Sequence, residues 1–378
     1  MPGPDGPGPV IGREPLARYL AGVFSAPVEI LALRPLKAAE GSETDPKGFG
    51  YGVPFGVECA VDGEIRSLVV SRTRPAHGFG HDYPADRAWQ ALYGHVAYNT
   101  FPRHVKSVDV GLVRASGELA SVADATEFFQ LVERAEGRLY WLDLDRLLTG
   151  PPRELDVARA RALASFLAEA HAVKHDEPTL YHRRVRELVA HGECLMGILD
   201  SYPHPYALLP SAACASIERA AITWRWRLRD RVHRLSRVHG DFHPWNILFR
   251  DGVDFSLLDR SRGEWGEPAD DVAGLAVNYV FFGLRKSAAT DPAVVAEPFG
   301  TLFRTFLDTY RDASADEELL EVLPPFLAFR ALVIAHPRWY PALGPATRQA
   351  LIRLATRLLD EGAAREPEAI VALLQEAR

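Results

Sequence analysis

The chain has 378 residues, 47% hydrophobic and 25% charged, which excludes a disordered or fibrous protein and suits two or three domains or one bilobal enzyme. A net charge of −7 argues against nucleic acid as a partner, and no apolar run reaches membrane-spanning length. Three dispersed cysteines, Cys59, Cys194 and Cys214, give neither a disulfide framework nor zinc-ligand spacing, so a reduced, cytoplasmic protein is expected.

Residues 1–12 are rich in Pro and Gly and are expected to form a disordered tail, without the basic and apolar regions of a signal peptide. Residues 14–24 carry apolar side chains at helical spacing, and 28–36 alternate as a first strand. Lys47, Gly48, Gly50 and Gly52 follow, with the glycines at alternate positions; such a segment lets backbone N–H groups approach phosphates, or serves only as a connector. Strands are expected over 53–61 and 65–72, joined at Asp62-Gly63. A helix is expected over 85–100, and strands over 107–113 and 128–133, the last closed by Glu136-Gly137.

From residue 155 the pattern becomes helical, with segments over 157–171, 181–199 and 216–235. Trp224 and Trp226 face opposite ways on the last of these, so at least one packs in the core; Trp226 is read as structural rather than as a stacking platform for substrate.

The next stretch runs His239, Gly240, Asp241, Phe242, His243, Pro244, Trp245, Asn246. Two short apolar runs, 247–249 and 255–258, flank Asp251-Gly252 and read as a β-hairpin. Its ends lie side by side, so Asp241 and Asn246 at the entrance should converge with Asp259 at the exit. Asn and Asp oxygens are hard ligands of the kind Mg²⁺ prefers, commonly shared with substrate phosphates. The same stretch also contains His239, Asp241 and His243 at alternate positions, which suits a metal-dependent hydrolase as well. Helices are expected over 272–282, 298–311, 317–334, 347–361 and 367–377. Residues 337–341 interrupt them, either as a wall of an acceptor pocket or as a buried aromatic turn.

His-Gly-Asp-x-x-x-x-Asn followed by an apolar hairpin and an Asp resembles the catalytic loop of the aminoglycoside phosphotransferase and choline kinase superfamily. Downstream, Gly266, Glu267, Pro268 and Asp271 are similar to the Gly-Asp-Pro-x-x-Asp segment of that superfamily, with Glu267 in place of the Asp. The resemblance implies an α+β, bilobal protein-kinase-like fold. A small antiparallel β-sheet N-lobe with one helix, over 13–137, would bind nucleotide. A large, mostly α-helical C-lobe, over 138–378, would carry the catalytic loop and acceptor site. It further implies ATP and Mg²⁺ as cofactors and a small-molecule hydroxyl as substrate. Asp241 would be the catalytic base, Asn246 and Asp259 the metal ligands, and Gly48, Gly50 and Gly52 the phosphate loop. Glu136-Gly137 would stand at the hinge.

The chain departs from the pattern at one conspicuous place. It has five lysines, and none lies between Lys47 and Lys106, where a kinase-like lobe carries its phosphate-binding lysine. Arg72 occupies that register, and residues 86–98 contain no Glu to pair with it. Three readings stay open: Arg72 serves the phosphates, Lys47 reaches them from the glycine segment, or the chain is a catalytically silent kinase-like binding protein.

Overall fold

The structure, a computed structural model, describes residues 11–36, 52–75, 79–288, 290–291, 294–361 and 367–372. Lys47, Gly48, Gly50 and the 1–10 part of the tail lie outside the described residues. The chain divides into two compact units, 1–132 and 133–378. Among the described residues no helix is long and apolar enough to cross a membrane.

The first unit opens with helix α1 (Arg13–Phe24), whose Leu16 and Leu20, one turn apart, are buried on a three-stranded antiparallel sheet. The sheet comprises β1 (Val28–Pro35), β2 (Gly52–Val61) and β3 (Glu64–Thr73), in that order. Val57, Cys59 and Val61 alternate inward along β2 to meet α1. Asp62 and Gly63 both adopt positive φ, 49° and 85°, as a tight two-residue hairpin turn demands. Helix α2 (Pro84–Thr100) follows, then the small hairpin β4 (Gly111–Val113) and β5 (Leu119–Ser121). Tyr19 Oη donates to Asp109 at 2.5 Å and Arg18 pairs with Glu118 at 2.7 Å, tying α1 to that hairpin.

Two expectations fail here. Residues 128–133 form no strand, and Phe129 and Leu131 are each 91% exposed. An apolar run becomes a strand only when a neighbour accepts its backbone ladder, and the sheet of this unit is built from β1, β2 and β3. Of residues 107–113, only the last three are in a strand.

The second unit begins with β6 (Arg138–Leu139), α3 (Trp141–Thr149), α4 (Glu154–His171), α5 (Pro178–Ala190), α6 (Leu195–Ser201) and α7 (Ser211–Leu228). Strands β7 (Ser236–Arg237), β8 (Ile247–Phe249), β9 (Phe255–Leu257) and β10 (Trp265–Gly266) come next. Helices α8 (Pro268–Ser287), α9 (Phe299–Ser314), α10 (Leu319–Val322), α11 (Pro324–Ala335), α12 (Pro345–Glu361) and α13 (Pro367–Ala372) complete it. α8 is buried almost all round: α3, α9, α11 and α12 pack against it. A helix this apolar on every side belongs at the centre of a core, and α8 anchors the site through its N-terminus.

The helix expected over 181–199 is two helices, broken around Gly192. A side chain on Gly197 would meet the Gly192 carbonyl at 1.9 Å, so the backbones cross at a contact only glycine permits. The segment 317–334 breaks likewise at Pro324, where a proline opens α11. Trp226, read as structural, is 57% exposed, with Arg225 and Arg229 over its ring; Trp224 is the core residue, its Nε1 donating to the Leu359 carbonyl at 2.9 Å.

Candidate active site

The loop 238–246 is held from both sides. β7 pairs with β10, and Val238 N donates to the Glu264 carbonyl at 3.0 Å, so the loop runs beside the segment that follows Asp259. At the N-terminus of α8, the fully buried Asp271 accepts from His239 N and Gly240 N, both at 2.7 Å, and meets His171 Nε2 at 3.1 Å. His171 in turn contacts Tyr310 Oη at 2.8 Å. Burial pushes the Asp271 carboxyl up, but these donors prevail and hold it below its ordinary value. A buried carboxylate near a helix N-terminus with two backbone N–H donors is a clamp on loop geometry. Gly240 adopts φ +88°, and a Cβ there would lie 3.0 Å from the Cβ of Arg262, so the loop turns tightly against that residue.

The hairpin forms as its apolar residues require. Ile247 pairs with Leu257 and Phe249 with Phe255, and all of β8 is buried. Its connection spans 250–254, closed by Arg250 N to the Asp254 carbonyl at 2.9 Å, a longer loop than a bare Asp-Gly turn. Leu258 N donates to the Asn246 carbonyl at 2.9 Å, which sets Asn246 beside the residue preceding Asp259. Asn246 Nδ2 donates to the Asp241 carbonyl at 3.0 Å, so its Oδ1 is not the atom engaged there. Asp259 has φ 53° and an exposed carboxylate with no ion pair among the described residues. A non-glycine residue held in that region costs about 1 kcal/mol or more, a strain typical of functional positions. Two hard oxygen donors, one of them an uncompensated carboxylate, fit a divalent cation that takes its other ligands from phosphates and water.

Asp241 is engaged at both oxygens. Oδ1 accepts from Nη1 of Arg330, and His243 Nε2 lies 3.3 Å from Oδ2. Arg330, on α11 and 7% exposed, also donates from Nη2 to the Gly240 carbonyl at 2.9 Å and to Asp270 Oδ1 at 2.7 Å. Burial would raise the Asp241 carboxyl, but His243, Arg330 and Arg262 outweigh it and hold it well below the usual carboxylate range. Arg330 is the residue that motif reading misses, although its signal was present: it is the single charge in the apolar run of α11.

The two histidines act as supports. His239 is buried, with its pKa lowered by that burial, and its Nδ1 accepts from Asp241 N at 3.3 Å. His243 Nδ1 accepts from Trp245 N at 3.2 Å while Nε2 faces Asp241. Among the described residues no group of three or more His, Cys, Asp or Glu is arranged to hold a metal ion.

Trp245 stacks on Trp141 at 6.1 Å and meets Tyr340 edge-on at 5.9 Å. Burial and the charge of Asp241 both push the Tyr340 hydroxyl up, so that ring belongs to the site, while its neighbour Trp339 is exposed. Glu267, in place of the Asp of the motif, caps α8 through Ala269 N and forms a buried pair with Arg234 at 2.8 Å. A cavity of about 540 Å³ at the turn end of the hairpin is lined by Arg138, Arg146, Arg159 and Asp251, but Arg146 and Arg159 are already paired with Asp156 and Asp143.

In the first unit, Gly52 opens β2 opposite Thr73, and Arg72 lies across from Val53, half-buried on the face that carries Leu68 and Val70. Asp86, the one acid of α2, accepts from Tyr83 N at 2.8 Å and so caps its own helix.

Solved structures similar to this chain include an amicoumacin kinase, 16% identical over 88% of this chain and 89% of that one, with a TM-score of 0.40. A glucosamine kinase is 16% identical over 97% of each chain, with a TM-score of 0.37. A choline kinase from Cryptosporidium parvum Iowa II is 10% identical over 88% of each, with a TM-score of 0.35. Among curated proteins none matches this chain in sequence. The pattern of the phosphotransferase enzyme family matches residues 60–315, about two-thirds of the sequence, which takes in β3, the clamped loop and its hairpin. The chain belongs to the phosphotransferase enzyme family.

Proposed function

We propose that this protein is a small-molecule kinase that transfers the γ-phosphoryl group of ATP to a substrate hydroxyl with Mg²⁺. The observation that carries the reading is the position of Asp241, Asn246 and Asp259 at one end of the β8–β9 hairpin, with Asn246 hydrogen-bonded to Asp241. Mg²⁺ held by Asn246 and Asp259 would neutralise charge on the phosphate oxygens. Nucleotide contacts are assigned to Lys47, Gly48, Gly50, Gly52 and Arg72.

Asp241 does its work by position. A carboxylate held so far below its ordinary pKa is a weak base toward a free alcohol. It is well suited to orient the hydroxyl through Oδ2 and to take the proton late, once the new P–O bond has made that hydroxyl acidic. Phosphoryl transfer has a loose transition state, in which alignment and electrostatics supply most of the rate. Arg330 fixes one carboxylate oxygen and His243 the position of the other, so the orientation is set before substrate arrives.

A second reading, a kinase-like protein that binds without turnover, is favoured by α2, where Asp86 is committed to capping and no Glu is present. Phosphoryl transfer from labelled ATP to a panel of hydroxyl compounds separates the two. Asp241→Asn should lower turnover by at least about a hundredfold, the scale of a lost general base, while nucleotide binding persists. Nucleotide binding with no transfer to any acceptor supports the second reading.

A further inference from the structure

Arg262 stands apart from the other arginines around Asp241. Arg330 is saturated by Asp241, Asp270 and the Gly240 carbonyl. Arg260 is held by the Val238 and Glu264 carbonyls, at 2.9 and 3.1 Å, and Arg184 by Glu187 at 2.7 Å. Arg262 is half-buried, and among the described residues no carboxylate lies within ion-pair distance of it. Its Nη1 lies 3.8 Å from Cys194 Sγ and its guanidinium 5.7 Å from the Phe329 ring, neither of which can balance its charge.

Its place in the site is fixed by the backbone. The close approach to Gly240 sets the stem of Arg262 against the residue preceding Asp241. It follows Asp259 by three positions, so at most about 10 Å of chain separates the two. Cys194 and Phe329 lie at the start of α6 and on α11, so Arg262 points toward the helices and not toward the hairpin that carries Asn246 and Asp259. Its charge acts on both Asp241 and Asp270, and both of those acids are already spent on Arg330. A cationic acceptor would therefore meet an unbalanced guanidinium and no available carboxylate among these groups.

We propose that Arg262 selects the acceptor by binding an anionic group on it, a carboxylate or a phosphate, while the acceptor hydroxyl lies at Asp241. The proposal rests on the kinase reading and names its substrate class: small hydroxylated anions. A planar guanidinium fork matches the paired oxygens of either group. The aromatic surface of Trp245 and Tyr340 is available to the carbon skeleton between anion and hydroxyl.

The test compares wild type with Arg262→Gln, Arg262→Lys and Arg262→Glu on matched acceptors: glycerate for the carboxylate, glycerol 3-phosphate for the phosphate, glycerol as neutral and aminopropanediol as cationic. Phosphoryl transfer from labelled Mg–ATP is read together with calorimetric binding of the two anions. Transfer to an anionic acceptor is expected in wild type, with its KM raised tenfold or more in Arg262→Gln, kcat within about threefold, and partial rescue by Arg262→Lys. Arg262→Glu should favour aminopropanediol over either anion. The carboxylate or phosphate origin of the group follows from which of the two anions Arg262 retains. Preference for glycerol or aminopropanediol in wild type, a change in ATP KM alone, or no Arg262-dependent binding of either anion overturns the proposal. Failure of Mg–ATP itself to bind overturns the kinase reading instead, and is read separately from the anion titrations.

Discussion

Arg330 and Asp241 are 89 residues apart in the chain and share a hydrogen bond at the centre of the site, guanidinium Nη1 to carboxylate Oδ1. The same guanidinium holds Asp270 and the carbonyl of Gly240, so one buried side chain fixes the Asp241 carboxylate, a second acid and the loop backbone together.

Removing that guanidinium leaves Asp241 and Asp270 without the cation that bridges them. Arg330→Met keeps the volume and drops the charge, and should destabilise the second unit by about 3–5 kcal/mol, the scale for breaking a buried pair from one side. Arg330→Lys should lose less stability yet lose turnover, because a point charge cannot span both carboxylates and the carbonyl. Urea unfolding checks the first statement; a loss below about 1 kcal/mol in Arg330→Met contradicts it.

The depressed Asp241 carboxyl gives a pH dependence with a definite sign. A group whose folded pKa lies below its unfolded value contributes stability that is complete above the unfolded pKa, about 3.9 for Asp, and that is lost as pH falls toward the folded value. The stability difference between wild type and Asp241→Asn should stay constant from about pH 8 to 5 and shrink only below about pH 4. Turnover should show no acidic limb from Asp241 above about pH 5. Such a limb, if abolished in Asp241→Asn, would place the carboxyl above its ordinary pKa and contradict the geometry.

Asp271 is a prediction about architecture. Asp271→Ala strips the acceptors from two buried N–H groups, each worth about 1–3 kcal/mol when left unpaired. A loss of about 2–5 kcal/mol is expected, with Gly240 freed to exchange its amide proton quickly. Hydrogen exchange at His239 and Gly240 reads this directly, and unchanged protection there would rule the clamp out.

The two tryptophans of α7 should separate cleanly. Trp224→Ala empties a core position and should cost about 3–5 kcal/mol, whereas Trp226→Ala at the surface should stay within about 0.5 kcal/mol. Equal losses would mean that Trp226 packs against something in solution.

Local structure is legible in this sequence, and pairings across long separations are not. The placing of Asp241, Asn246 and Asp259 at the two ends of one hairpin is legible because two apolar runs around Asp251-Gly252 bring their own ends together, and no distant residue is needed for that. The same locality made β1, β2, β3 and α2 readable to within a residue or two. Residues 128–133 misled because their apolar character says nothing about whether a partner strand exists. The break between α5 and α6 depends on Gly192 meeting Gly197 across a turn, a contact that helical periodicity does not encode. Arg330 came from a helix far along the chain, and only its isolation among apolar neighbours hinted that it must be paired.

The measurement that bears most directly on the proposed activity is thermal unfolding with ATP, with and without Mg²⁺, for wild type and Asp259→Asn. A ligand that binds only the folded state stabilises by mass action, about 2.7 kcal/mol at a hundredfold excess over Kd. The expected result is a rise in melting temperature that requires Mg²⁺ and is lost in Asp259→Asn. No rise with ATP in wild type, or a rise that survives in Asp259→Asn, would contradict the assignment of Asn246 and Asp259 as the metal-nucleotide site.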